Sequence, residues 1–170
     1  MAAPFPAPVK TWHAAVYDEI SPKRPELSAK GKTVVVTGGG IGIGRSVALA
    51  FAEAGAPTIA IVGRTEKALT ETKREIENQY RSTKIVVLVA DISEEASFTK
   101  ALTGFKQSHG AIDIFVHNAG YMSDLLLTQD ADVNEAFKSF EVGCICFWAI
   151  PLVDKDPAYI RAHRSMLKAL

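Results

Sequence analysis

The sequence TGGGIGIGRSVALAFAEAGA, residues 37–56, places a glycine-rich stretch directly before an amphipathic, alanine-rich helix. It follows the β-branched run TVVVT at residues 33–37. Glycine lacks a Cβ, so it suits a tight turn or a point where a ligand lies against the main chain. A strand, a glycine turn and a helix in this order predict a phosphate-binding turn, because the N–H groups at a helix N-terminus attract anions. The alternative interpretation is a purely structural turn.

Three glycines of this turn have separate expected tasks. Gly38 makes the tight turn, Gly42 lets a pyrophosphate approach the main chain, and Gly44 lets the helix pack closely on the strand. The spacing differs from the standard G-x-G-x-x-G, since that pattern started at Gly40 would end on Arg45. The glycines alone therefore do not decide between a dinucleotide site and a structural turn.

Composition indicates one soluble globular domain. The chain has 170 residues, 48% of them hydrophobic, with 19 basic and 19 acidic residues. This balance gives no electrostatic basis for a nucleic-acid or membrane partner, and the apolar stretches are too short to span a bilayer. Cys144 and Cys146 are too few and too close for a disulfide framework, and we expect them to be reduced. We expect a cytoplasmic protein without a metal site.

From residue 32 the sequence alternates short β-branched runs with longer segments of helical period. Such alternation predicts an α/β fold with right-handed crossovers and a parallel sheet. The runs VVV and IVVLV are continuously apolar, which is typical of strands covered on both faces. Residues 1–30, with five prolines, predict an irregular leader. The expected strands are Thr33–Thr37, Thr58–Val62, Lys84–Val89 and Ile112–His117, and the expected helices are Ile43–Ala54, Glu66–Arg81, Glu94–Ser108 and Ala131–Phe147.

The end of the second strand carries a basic residue where a dinucleotide site meets the adenosine ribose. The sequence there is GRTEKAL, with Gly63 followed by Arg64. An acidic residue at this position would accept hydrogen bonds from a free 2′-hydroxyl, whereas a guanidinium suits a 2′-phosphate. Arg64 therefore favours NADP(H) over NAD(H). The alternative is a solvated arginine at the start of the next helix.

Three motifs in order, TGGGIGIG, VADI at residues 89–92 and HNAG at residues 117–120, resemble the signatures of the short-chain dehydrogenase/reductase family. The resemblance covers about residues 30–142, and the leader resembles that of a fungal-type branch. It implies a Rossmann-type doubly wound parallel sheet, incomplete at about four to five strands. It also implies an oxidoreductase that moves hydride between a nicotinamide and an alcohol or carbonyl of unknown identity.

The resemblance also implies which residues hold the cofactor. Asp91 would accept from the adenine amino group, although it could instead be the N-cap of the following helix. His117 replaces the first asparagine of the family's NNAG, and we expect a packed structural residue rather than a base. The implied cofactor-binding residues are Thr37, Gly38, Gly42, Ile43, Gly44, Arg64, Asp91, Ile92, Asn118, Ala119 and Gly120.

The resemblance ends where the catalytic half should begin. Gly143 occupies the asparagine position of the family's V-N-x-x-G pattern. Tyr159 and His163 imitate the Y-x-x-x-K motif, but a neutral histidine is a poor substitute for lysine, and too few residues precede Tyr159 for another strand and a substrate loop. The sequence therefore looks truncated or altered after Val142. We assign no catalytic residue and keep Tyr159 only as a candidate.

Two functional hypotheses follow. The first is an NADP(H)-dependent oxidoreductase acting on a small molecule, with a dinucleotide-binding domain at residues 31–147 and a divergent tail at residues 148–170. The second is a non-catalytic dinucleotide-binding module or a fragment. The fourth strand would be an exposed edge, which predicts poor solubility, and a homo-oligomer is left open.

Overall fold

A parallel four-stranded sheet forms the centre of the computed structural model, which describes residues 13, 15–123, 132–139 and 142. The strands are β1 (Thr33–Thr37), β2 (Thr58–Gly63), β3 (Lys84–Val89) and β4 (Ile114–Val116). They pair in the order β3-β2-β1-β4, with Thr33 opposite Thr58 and Val34 opposite Ile114. This arrangement confirms the expected Rossmann-type α/β fold.

Three helices connect the strands: α1 (Gly42–Glu53), α2 (Glu66–Gln79) and α3 (Glu95–His109). Each expected helix within this range is present, with ends shifted by one or two residues. β4 is shorter than the expected Ile112–His117. Just before it, the Asp113 N–H donates to the Thr33 carbonyl, but the Thr33 N–H donates to the Asp113 carboxylate rather than to a main-chain carbonyl. Of the expected fourth helix, the structure describes helical residues 133–139 and 142.

The core lies on both faces of the sheet, as the continuously apolar strands predict. Successive residues of a strand point to opposite faces, so Val34 and Val36 belong to one apolar cluster while Val35 belongs to the other. The first cluster includes Ala48 of α1 with Leu69 and Ile76 of α2; the second includes Phe98, Leu102 and Phe105 of α3. Helices α1 and α2 therefore cover one face, and α3 covers the other.

The described part of the leader ends against this core. It contains two short 3₁₀ turns, at Asp18–Ile20 and Pro25–Leu27. Ala29 is buried, and its N–H donates to the carbonyl of Ala54 at 2.9 Å. Lys23 also forms an ion pair with Glu53 of α1 at 3.3 Å. The end of the leader is thus fixed to the C-terminal end of α1, away from the glycine turn.

Candidate dinucleotide-binding site

A cleft of about 450 Å³ lies at the carboxyl ends of the four strands. The strand order reverses between β1 and β4, and ligands of open α/β sheets bind at such a switch point. The volume lies within the range of about 300–1,000 Å³ that is usual for small-molecule and cofactor sites. Ten of the expected cofactor-binding residues line it: Gly38, Gly42, Ile43, Gly44, Arg64, Asp91, Ile92, Asn118, Ala119 and Gly120.

The glycine turn is packed closely on one side and open on the other. Gly38 has a φ of 69°, and a Cβ added to it would lie 2.9 Å from Nδ2 of Asn118. A Cβ on Gly44 would lie 2.2 Å from the carbonyl oxygen of Gly38. A Cβ on Gly42 would meet nothing within 4 Å. The close contact of Gly44 is therefore with the turn that follows β1, and the space beside Gly42 is open.

The one expected residue that does not line the cleft is Thr37. Its side chain is fully buried at the end of β1. Oγ1 accepts hydrogen bonds from the N–H groups of Asn118, at 3.1 Å, and Ala119, at 3.0 Å. Asn118 also donates from Nδ2 to the Thr37 carbonyl at 2.9 Å. Thr37 thus holds the segment after β4 against β1, and its expected part in cofactor binding stays a prediction.

The N-terminus of α1 offers unpaired donors to an anion. The first N–H groups of a helix have no partner within the helix, and the helix dipole makes this end positive. Ile41, the N-cap, supplies no side-chain hydrogen bond, and the first turn contains no acidic residue. By contrast, Glu66 and Glu95 lie in the first turns of α2 and α3. The start of α1 therefore carries a positive dipole end without an acidic side chain in its first turn.

Arg64 and Asp91 face each other from the ends of β2 and β3. Nη1 of Arg64 lies 3.8 Å from Oδ2 of Asp91, and 73% of the Arg64 side chain is exposed. The pKa of Asp91 is lowered, first by the hydroxyl of Ser93 donating to the carboxylate and further by the Ser93 N–H and the Arg64 charge. Asp91 is therefore ionised at neutral pH and can accept a hydrogen bond.

The structure changes two expectations about individual residues. Asp91 is not the N-cap of α3, which is Glu94. Instead, Oδ1 of Asp91 accepts from the N–H and hydroxyl of Ser93, at 2.9 and 2.6 Å, and closes the turn before the helix. His117 is exposed rather than packed, because β4 lies at the edge of the described sheet and no described strand covers it.

Other residues line the cleft that sequence reasoning did not select. Ala68 and Leu69 of α2 line it beside the glycine turn. Tyr121 and Val142 line it beyond Gly120. The hydroxyl of Tyr121 donates to Glu135 at 2.6 Å. The helical spacing of Ala68 and Leu69 indicates only a buried face, and the sequence distinguishes Val142 only as the residue after which the family resemblance ends.

Several expectations concern parts of the chain that the structure leaves out. Tyr159, His163, Cys144, Cys146 and Gly143 all lie outside the described residues. Within the described residues, no three His, Cys, Asp or Glu side chains cluster in a way that would hold a metal ion. No helix in this part of the chain is long and apolar enough to cross a membrane.

Comparison with known proteins agrees with this architecture. The chain is 43% identical over 98 residues to a short chain dehydrogenase/reductase of Claviceps purpurea, covering 58% of this chain and 33% of that protein. It is 35% identical over 132 residues to the short chain dehydrogenase tazN of Aspergillus terreus, covering 77% and 28%. The chain thus spans about a third of the length of these curated relatives.

A solved structure and a family model complete the comparison. A metagenomic short-chain oxidoreductase, solved in complex with NADP, superposes with a TM-score of 0.68 at 25% identity, covering 78% of this chain and 58% of that one. The short chain dehydrogenase family model matches residues 32–145. That match takes in the glycine turn, Arg64, Asp91 and the segment after β4, so the chain belongs to the short chain dehydrogenase family.

Proposed function

We propose that the cleft binds a nicotinamide dinucleotide, with NADP(H) preferred, and that the chain acts as part of an oxidoreductase. The observation that carries the proposal is the convergence of the uncapped start of α1, Arg64, Asp91 and the Asn118–Gly120 segment on one cleft. The open space beside Gly42 admits a pyrophosphate, and the N–H groups of the first turn of α1 neutralise it.

The adenosine half of the cofactor lies between the ends of β2 and β3 in this proposal. Arg64 is exposed and directly precedes Thr65, the N-cap of α2, so its guanidinium is free to turn towards a 2′-phosphate. Two parallel N–H donors on a planar fork match phosphate oxygens. Asp91, held ionised by Ser93, accepts from the adenine amino group, and Ile92 gives that ring an apolar contact.

The nicotinamide half lies on the other side of the turn, towards Asn118, Ala119 and Gly120. Small residues at 119 and 120 leave space beside the sheet for the ribose and ring, and the hydrogen bonds that Asn118 donates to Thr37 fix its position. When bound, the cofactor supplies or accepts hydride at its nicotinamide ring. The substrate is a small alcohol or carbonyl in this proposal.

A cofactor titration with an arginine control tests the preference. Arg64→Ala removes charge-assisted hydrogen bonds worth about 1.5–3 kcal/mol, so we expect NADPH to bind about 10- to 100-fold more weakly and NADH less than about 2-fold. Arg81→Ala is the matched control, because Arg81 is an exposed arginine at the opposite end of the sheet. Equal losses for the two cofactors would overturn the 2′-phosphate role.

A non-catalytic dinucleotide-binding module is the second candidate function. It is favoured by Gly143, which stands where the family pattern has asparagine, and by histidine at position 163 in place of lysine. NADPH oxidation with a panel of ketones and aldehydes separates the two. Turnover that disappears in Tyr159→Phe supports an enzyme that uses Tyr159. Saturable NADPH binding without any turnover supports the binding module.

A further inference from the structure

A buried hydroxyl on α2 reaches the glycine turn. Thr72 is fully buried, and its Oγ1 donates to the carbonyl oxygen of Gly40 at 2.8 Å. The residues on either side of it along the buried stripe of α2 are Leu69 and Ile76, both apolar core residues. A polar group in such a position is stable only with a hydrogen-bond partner, and here the partner is the main chain of the turn.

This bond fixes one peptide plane of the turn. The peptide between Gly40 and Ile41 is trans, as are all those described, so its carbonyl and its N–H point in opposite directions. With the carbonyl held towards α2, the N–H of Ile41 is directed away from α2. Gly40 and Ile41 both line the cleft, and the Ile41 N–H donates to no acceptor among the described residues.

Packing against α2 limits any rotation of this peptide. A Cβ added to Gly40 would lie 3.4 Å from Cβ of Ala68 and 3.4 Å from Cδ2 of Leu69. An ion pair between Arg45 and Glu75 also joins α1, the helix that follows the turn, to α2. The glycine turn therefore packs against α2, and Thr72 donates the side-chain hydrogen bond from α2 to the main chain of the turn.

We propose that Thr72 is a positioning residue for the dinucleotide pyrophosphate, acting by holding the Gly40 carbonyl so that the Ile41 N–H donates into the cleft. The inference rests on the proposed dinucleotide function. Pyrophosphate is common to NADP(H) and NAD(H), so loss of the Thr72 hydroxyl weakens both cofactors by the same factor. Loss of Arg64 differs, because it changes their ratio.

The chain contains a matched control for this bond. Thr83 is also buried, and its Oγ1 donates to the carbonyl of Ala56 at 2.8 Å. That bond lies before β2 and β3, at the end of the sheet opposite the cleft. Thr72→Val and Thr83→Val therefore each remove a buried hydroxyl that donates to a main-chain carbonyl, and only the first of these bonds reaches the glycine turn.

The test compares NADPH and NADH dissociation constants for the full chain and three variants. Without this bond, which is worth about 1 kcal/mol, the Gly40 peptide leaves its binding orientation part of the time. We therefore expect Thr72→Val to bind both cofactors more weakly, by up to about 5-fold, with their ratio unchanged. Thr72→Ser should bind like the wild type, and Thr83→Val within about 2-fold of it. If the wild type binds and Thr72→Val is no weaker than Thr83→Val, the inference fails while the proposed function stands. If the wild type binds neither cofactor, both fail.

Amide hydrogen exchange without cofactor supplies an independent readout. Thr72→Val should speed exchange in the turn at residues 38–44 relative to the wild type, since the Gly40 peptide is no longer held. Thr83→Val should leave these amides unchanged. Equal protection of the turn in all three proteins would overturn the positioning role.

Discussion

Replacing glycine with alanine should have opposite effects on the free energy of unfolding at two helical positions, Gly104 and Gly44. Replacing an exposed helical glycine with alanine stabilises a helix by about 0.5–1 kcal/mol, because glycine loses more backbone entropy on folding. Gly104 in α3 has nothing within 4 Å of an added Cβ. Gly104→Ala should therefore raise the free energy of unfolding by that amount, or the melting temperature by about 1–4 °C.

Gly44→Ala should stabilise its helix by the same amount, but the added Cβ would overlap atoms of the glycine turn. Its Cβ would lie 2.2 Å from the Gly38 carbonyl oxygen and 2.6 Å from Nδ2 of Asn118. Backbone atoms must move to relieve this overlap, and overpacking of this kind costs about 1–3 kcal/mol or more. Because the overlap is with backbone atoms, we expect a cost at the upper end of this range and, after the helical gain, a net loss of about 2 kcal/mol, together with weaker NADPH binding.

Urea unfolding followed by circular dichroism measures both variants on one scale. The prediction is a higher midpoint for Gly104→Ala and a lower one for Gly44→Ala, with similar slopes. If Gly44→Ala were as stable as Gly104→Ala, the close contact between α1 and the glycine turn would be refuted, and the account of the site would fail with it.

Two further predictions concern the core and the amino end of the sheet. Phe98→Ala should destabilise by about 3–5 kcal/mol, measured by urea unfolding, since Phe98 is fully buried and packs edge-on against Phe115; a loss below about 1 kcal/mol would contradict that packing. Asp113 has a lowered pKa, mainly because its carboxylate accepts from the Thr33 N–H. Its contribution to stability is therefore present above its usual pKa and lost as the pH falls through the folded value. Asp113→Asn should lower stability at pH 6 and make little difference near pH 2, and a pH-independent effect would argue against it.

The sequence was sufficient to predict the sheet and the residues at its carboxyl edge. The β-branched runs and the helical periods between them located β1 to β3 within a residue of their observed bounds. The glycine turn, Arg64, Asp91 and Asn118 follow strand ends, and parallel strands bring such positions to one edge. The cleft could therefore be predicted from the motifs and the alternation.

Contacts between distant residues could not be predicted in the same way. The hydroxyl of Thr37 accepts hydrogen bonds from residues 81 and 82 positions later, and nothing in its own motif predicts those partners. Thr72 lies in an unremarkable helical repeat, and its bond to Gly40 depends on how α2 crosses the turn. The domain bounds, the cytoplasmic location and the poor solubility stay predictions.

The most direct test of the central claim is to follow the amide NMR signals of the labelled chain during a titration with NADPH. Dinucleotide binding in the cleft predicts saturable shifts at residues 38–44, at Arg64, at Asp91 and Ile92, and at residues 118–120. It also predicts unchanged signals around Thr83 at the opposite end of the sheet. Saturable shifts confined to other surfaces, or no shifts at millimolar NADPH, would contradict the claim.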